Sequence, residues 1–75
     1  MTLDRLAPGG RGRILSMVGE PGLVQRLYEL GLMEGHDVEV VAIAPFGDPM
    51  EIRSGALRLS LRKAEAAGIQ LAVSV

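Results

Sequence analysis

Leu27-Tyr-Glu-Leu-Gly-Leu-Met-Glu-Gly-His-Asp-Val-Glu-Val40 is the stretch that decides the fold. Leu27 and Leu30 lie three apart, which places them on one helix face. Gly31 stands where such a helix should stop, because glycine reaches the left-handed conformation without the clash a β-carbon would bring. Leu32 can then fold back onto Leu27, the apolar contact that accompanies a glycine cap. Glu34 and Gly35 suit the centre of a type II turn. From Asp37 the period changes to two, with Val38 and Val40 set against Asp37 and Glu39. A helix is therefore joined to a strand through two glycines.

Upstream, Glu20 and Pro21 open that helix, and proline at the first helical position gives up no hydrogen bond. Leu23, Val24, Leu27, Tyr28 and Leu30 form its apolar stripe, with Gln25, Arg26 and Glu29 facing water. Leu27, Leu30 and Leu32 are expected inside. Gly12–Val18 reads as a first strand. Ile14, Ser16 and Val18 would share one face, with Arg13, Leu15 and Met17 on the other, so both faces should be covered. Leu3 and Leu6 can pack from a lead-in ended by Pro8-Gly9-Gly10. Downstream, a second strand over 36–44 leads to a loop, Ala44-Pro-Phe-Gly-Asp-Pro49. Met50–Arg53 and the alternating Leu57, Leu59 and Leu61 make a hairpin about Ser54-Gly55. One helical turn over 63–67 precedes a last strand from Ile69 to Val75, whose outer edge is open for pairing. Five short antiparallel strands with one amphipathic helix close best as a small barrel, a single domain over residues 1–75.

Composition limits the function. Seventy-five residues that are 48% hydrophobic argue for a folded core, built from Leu, Ile, Val, Met and Ala because Tyr28 and Phe46 are the only aromatics. A net charge of −1 offers no field for a phosphate backbone. The one basic cluster, Arg58, Arg62 and Lys63, reads as a solvated face. No run approaches the ~20 apolar residues of a membrane helix, and Asp4 and Arg5 occupy the place of a signal core. A cytoplasmic protein that reaches any membrane process by docking is expected.

Catalytic motifs are missing. Ser16, Ser54, Ser60, Ser74 and Thr2 lack a nucleophile elbow, and His36 is the only histidine. An enzyme is not expected. Glu34, His36, Asp37 and Glu39 could offer metal ligands, but alternation puts His36 opposite Asp37, so no metal site or cofactor is expected. The glycines of Gly9-Gly-Arg-Gly12 precede a strand rather than a helix, unlike a phosphate loop. Interaction remains. Phe46 either plugs one end of the barrel or stands out as an anchor; Tyr28 is either core edge or contact.

The run of Leu3-x-x-Leu6, Gly12-Arg-Ile14, Arg26-Leu27-x-x-Leu30-Gly31-Leu32-x-x-Gly35, Val38-x-Val40, Ala44-Pro45-x-Gly47-Asp48-Pro49 and Leu59-x-Leu61-Arg62-x-x-Glu65-Ala66, with Ile69 and Val73, resembles the FeoA family. Glu34 departs from it, since the family commonly has proline before the second glycine. The resemblance implies a mainly β fold, a small SH3-like five-stranded antiparallel barrel with an inserted helix. It also implies a cytoplasmic accessory protein of bacterial ferrous iron uptake, whose partner is the GTP-binding cytoplasmic part of the FeoB-type membrane transporter. The other classes it suggests are the similar domain of iron-responsive repressors, disfavoured by the lack of a helix-turn-helix, and a peptide-binding barrel unrelated to iron. Arg26, Tyr28, Glu29 and Phe46 are then the expected partner contacts, and Gly31, Gly35, Pro45, Gly47 and Pro49 the expected turn and cap positions.

Overall fold

A computed structural model describes residues 1–73. After a 3-10 turn at Leu3–Arg5 come β1 (Arg11–Met17), α1 (Pro21–Leu30), β2 (Asp37–Ile43), β3 (Met50–Ser54), β4 (Leu57–Leu61), α2 (Lys63–Ala66) and β5 (Ile69–Ala72). The strands make one antiparallel sheet in the order β4-β3-β2-β1-β5. Leu3, Ile14, Leu27, Leu32, Val38, Val40, Met50, Ile52, Leu61 and Ile69 fill its inner side and are essentially inaccessible to water. Both aromatics lie outside this aliphatic core, which joins every strand to α1, α2 and the 3-10 turn.

Two register shifts shape the sheet. Between Ile14 and Ser16, Leu15 is an extra residue in β1 opposite β5, and Val41 plays the same part in β2 opposite β3. A bulge bends its strand and sharpens the twist, which lets a short sheet curl about its core. It also breaks the alternation. Gly12, Ile14 and Met17 point inward, so the faces expected for the first strand are not those observed. Leu15 and Val18 are 54% and 66% exposed. One face of β1 is covered, not two.

The α1 C-terminus has the glycine stop read from the sequence. Gly31 sits at φ 105°. Its N–H bonds the Tyr28 carbonyl at 3.0 Å, and the Leu32 N–H bonds Leu27 at 2.9 Å. These are the paired bonds of a Schellman motif, closed by the buried side chains of Leu27 and Leu32. Leu30, expected inside, is 47% exposed. Three residues along a helix leaves it ~60° round from Leu27, and Leu32, drawn back by its bond, joins Leu27 in the core instead. Of the helix residues only Leu27 is fully buried, with Leu23 partly packed. One buried leucine contributes about 1.5–3 kcal/mol, so α1 rests on a narrow footing.

The turn that follows is tied to β1. The His36 N–H bonds Met33 at 3.2 Å across Glu34 and Gly35 (φ 88°). Gly35 donates to Ile14 at 2.8 Å, and the Ile14 N–H donates to His36 at 2.9 Å. At the other edge Met1 accepts from the Leu71 N–H at 2.7 Å, and Thr2 bridges Gln70. The outer edge of β5, expected open, is covered there; Ser74 and Val75 lie outside the described residues. The hairpin between β3 and β4 turns on Gly55 and Ala56, one residue later than expected. Gly68 follows α2, where a glycine commonly ends a helix. Its position demands glycine for another reason: a β-carbon there would run into the Val18 carbonyl oxygen, while the Val18 N–H bonds Gly68 at 2.9 Å.

Two substitutions separate these uses of glycine. Gly31→Ala strains a left-handed cap in open space and should cost about 1 kcal/mol. Gly68→Ala overpacks a backbone contact and should cost more, roughly 2–3 kcal/mol. Urea unfolding of both variants checks the order, which would be reversed if the cap were the more constrained site.

Candidate functional site

The loop between β2 and β3 is closed by its own backbone. Pro45 presets the backbone for the second position of a turn, and the Gly47 N–H bonds Ala44 at 2.7 Å. The Ala44 N–H bonds Pro49 at 3.0 Å. Asp48 then reaches out of the loop, its Oδ1 accepting from the Lys63 backbone N–H at 3.0 Å. This supplies the α2 N-terminus with a carboxylate that Arg62 at the cap position cannot provide. Phe46 stands at the tip of this fastened loop, 98% exposed. It does not plug the barrel.

From α2 the surface continues to α1. The Glu65 Oε1 accepts from the Arg62 N–H at 2.9 Å, and its Oε2 lies 3.5 Å from the Arg26 guanidinium. Arg26, Glu65, the start of α2, Asp48 and Phe46 thus form one connected outer surface. Glu29, exposed and three residues from Arg26, lies on the same side of α1. Tyr28 does not belong to this group. Two residues from Arg26, it is ~200° round the helix, and its hydroxyl donates to the Glu34 Oε2 at 2.6 Å. That bond raises the Tyr28 pKa above the usual tyrosine value and lowers that of Glu34. The glutamate that replaces the expected proline thereby helps to fasten the turn to the end of α1.

The outer sheet face carries a ladder of ion pairs. Arg11 is opposite Glu39, and Arg13 opposite Asp37, across β1 and β2. Their charged ends lie 4.0 and 3.6 Å apart. Glu39 also accepts from Arg53 on β3 at 2.7 Å, and Arg58 on β4 reaches Glu51 at 3.5 Å. The sequence shows Asp37 and Glu39 on one strand face, but their arginine partners depend on register, which is unknown before the strands are aligned. The expected basic cluster is divided: Arg58 belongs to this ladder, and Arg62 and Lys63 to α2. No group of three His, Cys, Asp or Glu side chains converges for a metal ion among the described residues. The Ser54 hydroxyl donates to the Asp37 carbonyl at 2.6 Å.

An antiparallel five-stranded sheet curled on an aliphatic core, with one helix inserted after β1, defines a small SH3-like domain. The chain belongs to the FeoA family: the model of the FeoA domain matches residues 1–73. It is similar to the FeoA protein of Chlorobium tepidum, with 36% identity and a TM-score of 0.94, over 100% of this chain and 71% of that one. The FeoA of Stenotrophomonas maltophilia, determined in complex with zinc and described as a prokaryotic SH3 domain protein, is 30% identical, with a TM-score of 0.83 over 96% of this chain and 89% of that one. An Fe(2+) transport protein A/Fe(2+) transporter FeoB fusion protein of Porphyromonas gingivalis is 32% identical over 71 residues, 95% of this chain. This chain spans 8% of the length of that fusion protein. A manganese-dependent transcriptional repressor matches with a TM-score of 0.87 at 17% identity over 100% of this chain and 41% of that one, a likeness of fold alone. The family is one of ferrous iron transport.

The ladder sets a pH dependence. The Arg53 hydrogen bond, with Arg53 and Arg11 nearby, lowers the Glu39 pKa below its ordinary value of 4.5. A lowered folded-state value stabilises the fold at neutral pH, and that share is lost as pH falls through the carboxylate range. Glu39→Gln should therefore leave stability less dependent on pH below about 5 than in the parent chain, as measured by urea midpoints from pH 7 to 3. Parallel curves would show that Glu39 contributes nothing.

Proposed function

We propose that this chain, as a single domain over residues 1–75, is a cytoplasmic accessory protein of ferrous iron uptake that docks on the cytoplasmic GTPase domain of a FeoB-type transporter. The observation that carries this reading is the P. gingivalis protein in which transport protein A and transporter FeoB are one chain. Fusion fixes two partners at high effective concentration, which fits a domain that acts by contact with the transporter. No helix of the described residues is long and apolar enough to cross a membrane. Contact with the transporter's cytoplasmic part is the route to the membrane process that we assign.

The docking face we assign runs from Arg26 and Glu29 on α1 across α2 to Phe46, and leaves out Tyr28, which is turned to Glu34 on another side of the helix. Scaffolding or allosteric support fits this face better than direct catalysis. An arginine supplied to a nucleotide must be free to enter the site, and the Arg26 guanidinium is held by Glu65. Neither a catalytic role nor a resident cofactor enters the proposal.

Co-purification of the tagged chain with its host's full-length transporter, without nucleotide and with GDP or a GTP analogue, is the test. A stable complex in at least one state is expected. Absence of binding in all three would defeat the docking reading. Ferrous iron titrated calorimetrically into the chain alone should reveal no submicromolar site, since Glu34, Asp37 and Glu39 are engaged by Tyr28, Arg13 and Arg53. Tight one-to-one binding would contradict this and make Glu34, His36 and Glu39 the first positions to replace.

A further inference from the structure

The cations of this chain are not evenly committed. It has eight Lys and Arg residues. Arg11, Arg13, Arg26, Arg53 and Arg58 each lie within ion-pair distance of a carboxylate. Among the described residues, Arg5, Arg62 and Lys63 have no such partner, and the last two are neighbours in the chain. Both are exposed and begin α2. The Lys63 ammonium lies 3.9 Å from where a β-carbon on Gly47 would sit, at the base of the Phe46 loop. The one carboxylate of that loop, Asp48, is turned onto the Lys63 backbone N–H. An exposed ring and the Lys63 ammonium are thus brought to one loop closed through Ala44, Gly47 and Pro49, with Arg62 the residue before Lys63.

We propose that Phe46, Arg62 and Lys63 form one recognition element whose occupant is an apolar pocket rimmed by carboxylates on the transporter's cytoplasmic part. The inference rests on the docking reading above and adds the chemistry of the surface that is met. The ring supplies the buried anchor, which small interfaces concentrate in one or two aromatic residues. Its loop is already fastened by backbone bonds and by Asp48, so little ordering remains to be done on binding. The cations set orientation and the rate of encounter, acting through charges that salt screens. A lipid surface is the weaker occupant. Two cations contribute about 1 kcal/mol each at an anionic leaflet, and one ring adds too little apolar area for stable attachment.

The test measures binding of the full chain to the host's full-length transporter in detergent, in the nucleotide state that binds best. Phe46→Ala should weaken binding at least about thirtyfold, the loss expected for an anchor residue. Its melting temperature should stay unchanged because the ring touches nothing. The pair Arg62→Gln with Lys63→Gln should slow association severalfold at low salt, and the difference should vanish near 0.5 M salt, where the Debye length is only a few ångströms. Retention on phosphatidylglycerol vesicles should be negligible. If the parent chain binds and Phe46→Ala binds equally well, the inference is overturned and docking stands. If Phe46→Ala weakens binding but the charge variants never differ from the parent, the acidic rim is overturned. Phe46-dependent retention on the vesicles would overturn the choice of a protein pocket. Failure of the parent chain to bind at all would remove the docking reading itself.

Discussion

The paired backbone bonds that end α1 are the constraint on which the rest of the structure depends. Gly31 turns into the left-handed region, and Leu32 returns its N–H to Leu27. That reversal converts a helix with one buried residue into an element anchored by two, because Leu32 is as buried as Leu27. The next turn is bonded on both sides to Ile14 of β1. Helix end, turn, first strand and the entry to the second are thereby fixed within Gly31 to His36. Ten-residue helices are marginal alone. Here the helix position follows from how it stops more than from how much it buries.

A second tie of the same kind joins distant parts of the chain. Asp48 lies on the loop before β3, and the N–H it satisfies lies at the start of α2, after β4. The Arg26–Glu65 pair then links α2 to α1. Separate in sequence, Phe46, α2 and the polar side of α1 become one surface through these two contacts. The opposite treatment of charge on the sheet is instructive. There Arg11, Arg13, Arg53 and Arg58 are matched by acids. At the start of α2, Arg62 and Lys63 have no carboxylate within ion-pair distance among the described residues.

Local signals were legible and pairings were not. The glycine stop at Gly31, the turn at Gly35, the proline start of α1 and the inward Met50 and Ile52 follow from residue type and period. The bulge at Leu15 could not be read this way, since an inserted residue in a strand has no side-chain mark. It turned Met17 inward and Val18 outward, the reverse of what unbroken alternation from Ile14 would give. Leu30 was misplaced because a three-residue spacing permits a shared face without requiring burial. The exposure of Phe46 needed coordinates, as proline-flanked aromatics serve in cores and at interfaces alike. The ion-pair ladder needed the register of four strands. Arg26 was legible as polar and outward, but its tie to Glu65 was not.

In our proposal, the face built by α1, α2 and the Phe46 loop is where this FeoA-family chain meets its transporter. Amide chemical shifts of the labelled chain during titration with the transporter's cytoplasmic domain test it most directly. The account predicts the largest shifts at Phe46, Gly47, Lys63, Ala64 and Glu29, with little change on β2 and β3. Shifts concentrated at Arg13, Asp37, Glu39 and Arg53, with Phe46 unaffected, would contradict it.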